Sequence, residues 1–195
     1  RGSVMMSFPE TVNRSYAWST FIYNIGLVMT ASFLIGLSAQ LEMRLPFTPI
    51  PITAQTLVVL MSGALLGAHR GVLAILVYLA AGVSGLPVFS GFGASIHHIL
   101  GPSGGYLMGF AGGAYIAGTF VERGWDTNFL SRFSLMLLSC CAIYATGLLW
   151  LGFFVGFEKA LAMGLIPFIT GDIIKSALAA FLLGGKGRLL NNRLP

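Results

Sequence analysis

Two ionisable residues interrupt an otherwise apolar run near the end of the chain, in the segment Gly171-Asp172-Ile173-Ile174-Lys175. They are the only charged residues between positions 160 and 185. A charge at the centre of an apolar span costs about 2.5–3.5 kcal/mol on insertion scales, so such residues need a use or a partner. On a helix, positions i and i+3 share a face and meet. Either the pair holds a polar ligand, or it is a salt bridge that serves the scaffold. Snorkelling of Lys175 to the interface is the third reading, and its position near the middle of the run makes that difficult.

Other polar groups stand out against the same background. Gln55 follows Pro51-Ile52-Thr53, and its amide suits either a ligand or a neighbouring helix. The stretch Gly101-Pro102-Ser103-Gly104-Gly105-Tyr106 precedes an apolar run. Free N–H groups at such a helix start favour an anion, and Tyr106 adds an aromatic face and a hydroxyl. The competing reading is N-capping by Ser103 with close backbone packing. The same stretch fits Gly-x-Ser-Gly, a serine-nucleophile pattern. That chemistry needs a general base from another helix. His69 lies at the opposite side, and His97 and His98 share the loop of Ser103, so the pattern does not make an enzyme. Adjacent histidines without nearby carboxylate or thiol ligands do not make a metal site either.

The elements that must position these groups are transmembrane helices. Of 195 residues, 56% are apolar and 9% charged, with a mean hydropathy of +0.85. A soluble domain carries about 25% charged residues, so the solvent for this surface is lipid. Apolar runs at 16–41, 52–68, 70–84, 105–121, 133–157 and 160–185 predict six helices in an all-α bundle. The second and third are separated only by His69-Arg70, which predicts a tight helical hairpin. Pro167 predicts that the last helix starts near it, because proline fits a first turn. Residues 16–185 read as one transmembrane domain. Residues 1–15 form an N-terminal tail that opens with a vector-like scar, Arg1-Gly2-Ser3, and 186–195 form a C-terminal tail. No cleavable signal peptide is expected. Cys140 and Cys141 are adjacent, point apart on a helix, and read as small packing residues.

Charge sets the expected orientation. With six spans, one side carries Arg1, Arg14, Arg70, Arg123, Arg132, Lys186, Arg188 and Arg193, and the other Arg44 and Lys159. Positive residues mark the cytoplasm, so both termini are expected inside, in the cytoplasmic (inner) membrane. The net charge of +5 does not point to nucleic acid, because the cations separate apolar runs and form no aromatic-interleaved patch. Three loops then lie outside: proline-rich 42–51, glycine-rich 85–104, and roughly 158–166. A ligand site opening outward is the inference. No Walker A pattern is present, nor an obvious inverted repeat or chain of intramembrane carboxylates, so transport would need an energising partner. Ser32 and Gly36 form a small-xxx-small pair suited to close helix contact.

The motifs Pro49-Ile50-Pro51-Ile52-Thr53-Ala54-Gln55-Thr56, Gly67-Ala68-His69-Arg70-Gly71, Gly85-Leu86-Pro87-Val88-Phe89, Leu100-Gly101-Pro102-Ser103-Gly104-Gly105-Tyr106 and Gly171-Asp172-Ile173-Ile174-Lys175 together resemble BioY proteins, in order, over about residues 20–185. Those are the biotin-binding S components of energy-coupling factor transporters. The resemblance implies an S-component-like bundle of six helices and an outward-facing pocket. It also implies partnership with a transmembrane T component and two ATPase subunits. By resemblance, Asp172 and Lys175 contact biotin, joined by Gln55 and Tyr106. Some members carry an asparagine in the glycine-rich loop. Here the stretch is Ser90-Gly91-Phe92-Gly93-Ala94-Ser95, and Ser90, Ser95 or backbone amides, such as that of Gly93, take its place.

Biotin's chemistry fits those residue types. An ionised Asp172 would accept ureido N–H bonds, and Lys175 would donate to the ureido oxygen. Val88, Phe89, Phe92 and Tyr106 are the expected apolar walls, and the valerate carboxylate is left to loop amides or hydroxyls. A stand-alone secondary transporter of a small vitamin and, below it, an intramembrane serine protease are the competing functions.

Overall fold

The computed structural model describes residues 8–190, with side chains described for 18–184. Arg1-Gly2-Ser3, the rest of 1–7, and 191–195 lie outside the described residues, as do the side chains of Arg14, Lys186, Arg188 and Arg193. The chain order is α1 (Phe8–Ala39), β1 (Glu42–Met43), β2 (Ile52–Thr53), α2 (Gln55–Leu66), α3 (Ala68–Val83), a 3-10 turn (Ser90–Phe92), α4 (Ile96–Leu100), α5 (Gly104–Glu122), α6 (Phe129–Val155), α7 (Phe157–Gly164) and α8 (Ile166–Leu190).

Trp18–Ala39, Phe129–Val155 and Ile166–Gly184 are each long and apolar enough to cross a membrane. α2 and α3 are shorter, at 12 and 16 residues, and α5 has 19. These six helices agree with the six apolar runs. At 1.5 Å per residue α2 reaches only about 18 Å, short of the ~30 Å hydrocarbon core. The hairpin expected at His69-Arg70 turns two residues earlier. Gly67, at φ 89°, ends α2 and starts α3. Both long terminal helices outrun their apolar stretches, from Phe8 and to Leu190.

α5 is the central helix. Its small residues let neighbours approach to backbone contact: a Cβ at Gly63 of α2 would lie 2.1 Å from the Ala114 carbonyl oxygen, and one at Gly109 would lie 2.9 Å from Ile143 Cα of α6. Packing of this kind, without a hydrophobic drive between helices, is what small residues supply in lipid. The outer faces carry Phe33, Leu149, Phe153, Ile174 and Phe181, all exposed. A water-soluble monomer does not present such a surface, and lipid covers it.

Three expectations need correction. The segment 158–166, expected as a loop, is mostly the helix α7, because Gly156 at φ 84° reverses the chain and an amphipathic turn follows. The segments 42–51 and 85–104 are not plain loops. β1 and β2 pair antiparallel, Glu42 opposite Thr53 and Met43 opposite Ile52, and close the proline-rich segment at its base. The second holds the 3-10 turn and α4. Ser32 and Gly36, suited to meeting another helix, are used within the chain: both are buried, and a Cβ at Gly36 would lie 3.3 Å from Val88 Cβ. Cys140 is buried and Cys141 exposed, and both are free.

The three non-spanning segments converge on one end of the bundle. Thr48 Oγ1 donates to the Met163 carbonyl of α7 at 2.7 Å, and Tyr106 Oη donates to the Gly164 carbonyl at 2.8 Å. Gln40, just past α1, clamps the third segment. Its Nε2 donates to the Phe89 carbonyl at 3.0 Å and its Oε1 accepts from the Phe92 N–H at 2.9 Å. Glu122, at the end of α5, accepts from the Ala68 N–H at 2.9 Å and caps α3.

Candidate ligand-binding site

Below that convergence lies a cavity of about 570 Å³. α8 supplies its deepest polar groups. Lys175 Nζ donates to Asp172 Oδ1 at 2.8 Å. Both side chains are largely buried, 16% and 8% exposed, and Lys175 is the middle residue of the apolar segment Ile166–Gly184. The second carboxylate oxygen accepts a hydrogen bond from the Tyr144 hydroxyl of α6. Either charge alone would be stranded at this depth, and the ion pair together with the donated phenol hydrogen bond leaves neither unpartnered.

The walls are mainly apolar: Ile50, Leu107, Phe110, Ile143 and Phe168, with the rings of Tyr106 and Tyr144. Tyr106 stacks on Phe168 with ring centres 6.3 Å apart and meets Tyr144 edge-on at 6.3 Å. Few polar atoms, convergent on an apolar cavity, are the usual make-up of a small-molecule site.

Of the residues singled out from sequence, Gln55, Ser90, Tyr106, Asp172 and Lys175 all line this cavity. Two of them also serve the scaffold. Gln55 Nε2 donates to Tyr78 Oη of α3 at 2.8 Å, and the Tyr106 hydroxyl is committed to α7. Ser90 is buried, and its hydroxyl has no hydrogen-bond partner among the described residues.

Phe92, Gly93 and Ser95 do not line the cavity. Phe92 has φ 56° and is 72% exposed, so the turn throws its ring outward. Gly93 pairs with Phe89 and packs against the His98 ring, and Ser95 caps α4 by accepting from the His97 N–H at 3.4 Å. Val88 and Phe89 are not walls either. Phe89 is fully buried, edge-on to Tyr78 and stacked on His98 with ring centres 4.9 Å apart.

Sequence reasoning missed Tyr144, Phe168, Thr53, Thr56 and His98 as lining residues. A tyrosine in an apolar helix carries no signal of its own. Only its position on α6, facing Asp172, gives it a role. Ser103 and His98 line the same cavity, yet no hydrogen bond joins them among the described residues. The burial of His98, helped by Arg44 and opposed by Glu42, holds its imidazole below the usual histidine range.

A bundle of lipid-exposed helices around one apolar cavity, with a buried ion pair at its foot, defines a membrane protein built to take up a small polar-headed molecule. The chain belongs to the BioY family, whose model matches residues 11–192. It is thus a transporter-family protein and not an enzyme. It is 39% identical over 154 residues to a probable biotin transporter BioY of Pyrococcus horikoshii, covering 79% of this chain and 91% of that one. It is 34% identical over 156 residues to the biotin transporter BioY of Thermotoga maritima, covering 80% and 89%. Its fold matches the crystal structure of the S-component for biotin from an ECF-type ABC transporter with a TM-score of 0.77. That match has 26% identity and covers 84% of this chain and 90% of that one.

Proposed function

We propose that this chain captures biotin and hands it across the cytoplasmic membrane as the substrate-binding subunit of an ECF-type transporter. The observation that carries the reading is the Asp172–Lys175 pair at the foot of the cavity, in a chain of this family. A ureido ring presents two N–H donors and one carbonyl acceptor. Asp172 keeps unused lone pairs for the N–H groups. Lys175 has three N–H bonds and spends one on Asp172, so it has donors left for the ureido oxygen. Aromatic walls from Tyr106, Tyr144 and Phe168 suit the thiophane ring and alkyl chain. Ser90 belongs to the stretch 90–95 in which some members of the family carry an asparagine, and it lines the cavity, so its hydroxyl is the one proposed to serve the ligand.

Uptake needs energy that this chain does not supply. A transmembrane T component and two ATPase subunits are the proposed partners. The cation count favours cytoplasmic termini, with the cavity opening outward. Purifying the chain from cells grown on biotin and analysing it by mass spectrometry tests the ligand. Biotin released stoichiometrically on denaturation is expected. A folded, empty chain that still takes up no added biotin would overturn the reading.

A further inference from the structure

Every residue of the Gly67-Ala68-His69-Arg70-Gly71 turn except Arg70 is committed to packing. Gly67 takes φ 89°, and Ala68 lies against Gly118 of α5 and gives its N–H to Glu122. A Cβ at Gly71 would lie 2.7 Å from Gly63 Cα. His69 meets the Tyr115 ring of α5 edge-on, with ring centres 6.3 Å apart. Arg70 is exposed and has no hydrogen bond or ion pair among the described residues. It stands instead in a furrow of about 790 Å³ on the outer surface of the bundle, between α1 and α3. Phe21, Ile25 and Val28 of α1 and Leu73 and Val77 of α3 line that furrow. Asn24 is its other polar lining residue, half-buried and likewise without a hydrogen bond among the described residues.

We propose that this furrow binds one anionic phospholipid, with its acyl chain along α1 and α3 and its phosphate on the Arg70 guanidinium beside Asn24. Residues 21, 25 and 28 fall on one face of α1, and 70, 73 and 77 on one face of α3. α2 brings the chain back at Gly67 to the side from which α1 started, so α1 and α3 run in parallel. Arg70 therefore stands at the membrane-surface end of the strip and Val77 at its deep end. Their separation of seven residues is about 10 Å along the helix, within the ~15 Å of hydrocarbon in one leaflet. The proposed orientation makes this the cytoplasmic leaflet.

The lining selects the ligand class. A cation at the head of an apolar strip matches a phosphate joined to a hydrocarbon tail, and basic pockets between transmembrane helices hold such headgroups. A guanidinium gives a phosphate two parallel N–H bonds. Among the described residues no carboxylate lines the furrow, so the charge of Arg70 is uncompensated. A zwitterionic headgroup brings its own cation to its phosphate, whereas an anionic headgroup leaves a net negative charge for Arg70. Width argues for a lipid over a protein. An acyl chain fits between two packed helices, but a partner helix about 10–12 Å across rests on their ridges.

Native mass spectrometry of the delipidated, detergent-solubilised chain tests this, with phosphatidylglycerol and phosphatidylcholine of the same acyl chains as probes. The wild type should hold one phosphatidylglycerol about fivefold more tightly than phosphatidylcholine, the scale of one arginine at a lipid surface. Arg70→Gln should erase that preference and leave phosphatidylcholine binding unchanged, while Arg70→Lys should keep part of it. Leu73→Trp, which fills the furrow from an exposed position, should weaken both lipids. Arg123→Gln, which removes an exposed cation just past α5, should change neither. Equal retention of the two lipids by the wild type would overturn the site. So would a preference that survives Arg70→Gln, or that falls as far with Arg123→Gln. If Arg70→Gln and Leu73→Trp leave lipid binding untouched but lose the proposed T component on co-purification, the furrow is a protein-docking face and the lipid site is wrong.

Discussion

Tyr144 of α6 donates its hydroxyl to the carboxylate of Asp172 on α8, at the oxygen that Lys175 leaves open. One carboxylate thus ties two helices together and faces the cavity. Asp172→Asn should weaken biotin binding roughly tenfold to a hundredfold, the range of about 1.5–3 kcal/mol for a hydrogen bond to a charged group. Thermal unfolding on the same preparation separates roles. Unchanged affinity with a large loss of stability would return the residue to the scaffold.

Removing the phenol asks a subtler question. Tyr144→Phe leaves Asp172 Oδ2 short of one donor in a dry site, which costs about 1–3 kcal/mol. The loss should appear in both stability and affinity. In the double variant with Asp172→Asn the two effects should be clearly less than additive, because the residues share one bond.

Gln40 gives a prediction about the loop. Its amide holds the 88–92 segment from both sides, through the Phe89 carbonyl and the Phe92 N–H. Gln40→Ala should free Ser90 from its place at the cavity and speed biotin release, by roughly tenfold for about 1.5 kcal/mol of lost bonding. Stopped-flow displacement measures this. An unaltered release rate would show that the clamp has no part in holding the ligand.

The asymmetry between what sequence made legible and what it hid has a physical origin. Asp172 and Lys175 declared themselves because charge is rare in an apolar run, and Pro167 marked the start of α8 because its ring fits a first turn. Tyr144 stayed hidden because its partner comes from another helix. Phe92 looked like a wall, being aromatic in a glycine-rich loop, but its backbone at φ 56° turns the ring outward. α7 was hidden because Glu158-Lys159 broke the apolar pattern and divided its residues between an expected loop and the start of the run 160–185.

A packing variant separates fold from site. Gly63→Ala forces a methyl to 2.1 Å from the Ala114 carbonyl oxygen, a backbone contact with little room to yield. It should lower stability by about 1–3 kcal/mol, the range for overpacking. The surviving folded fraction should bind biotin normally, which calorimetry corrected for active fraction would read. Normal thermal stability would show that α2 and α5 are not so close.

His98 supplies the pH dependence. Its imidazole titrates below the usual 6.5, first through burial and then through Arg44, so the folded chain favours the neutral ring. Stability should be flat above about pH 6.5, the reference value, and fall as pH drops through the depressed folded value. His98→Gln should remove that acid-side loss in a thermal-unfolding series, and a persistent slope would assign it elsewhere.

Orientation is open to direct labelling. Ser95→Cys, in the loop segment beside the mouth, should react with a membrane-impermeant maleimide in intact cells. Labelling only after the cytoplasmic face is exposed would reverse the topology and move the cavity to the wrong side.

The most direct test of the account is a calorimetric titration of the isolated, folded chain with biotin. It should give one site with nanomolar-class affinity, about −12 kcal/mol, and that affinity should collapse in the Asp172→Asn variant. No binding by folded protein, or binding indifferent to Asp172, would contradict the claim that this cavity holds biotin on its ion pair.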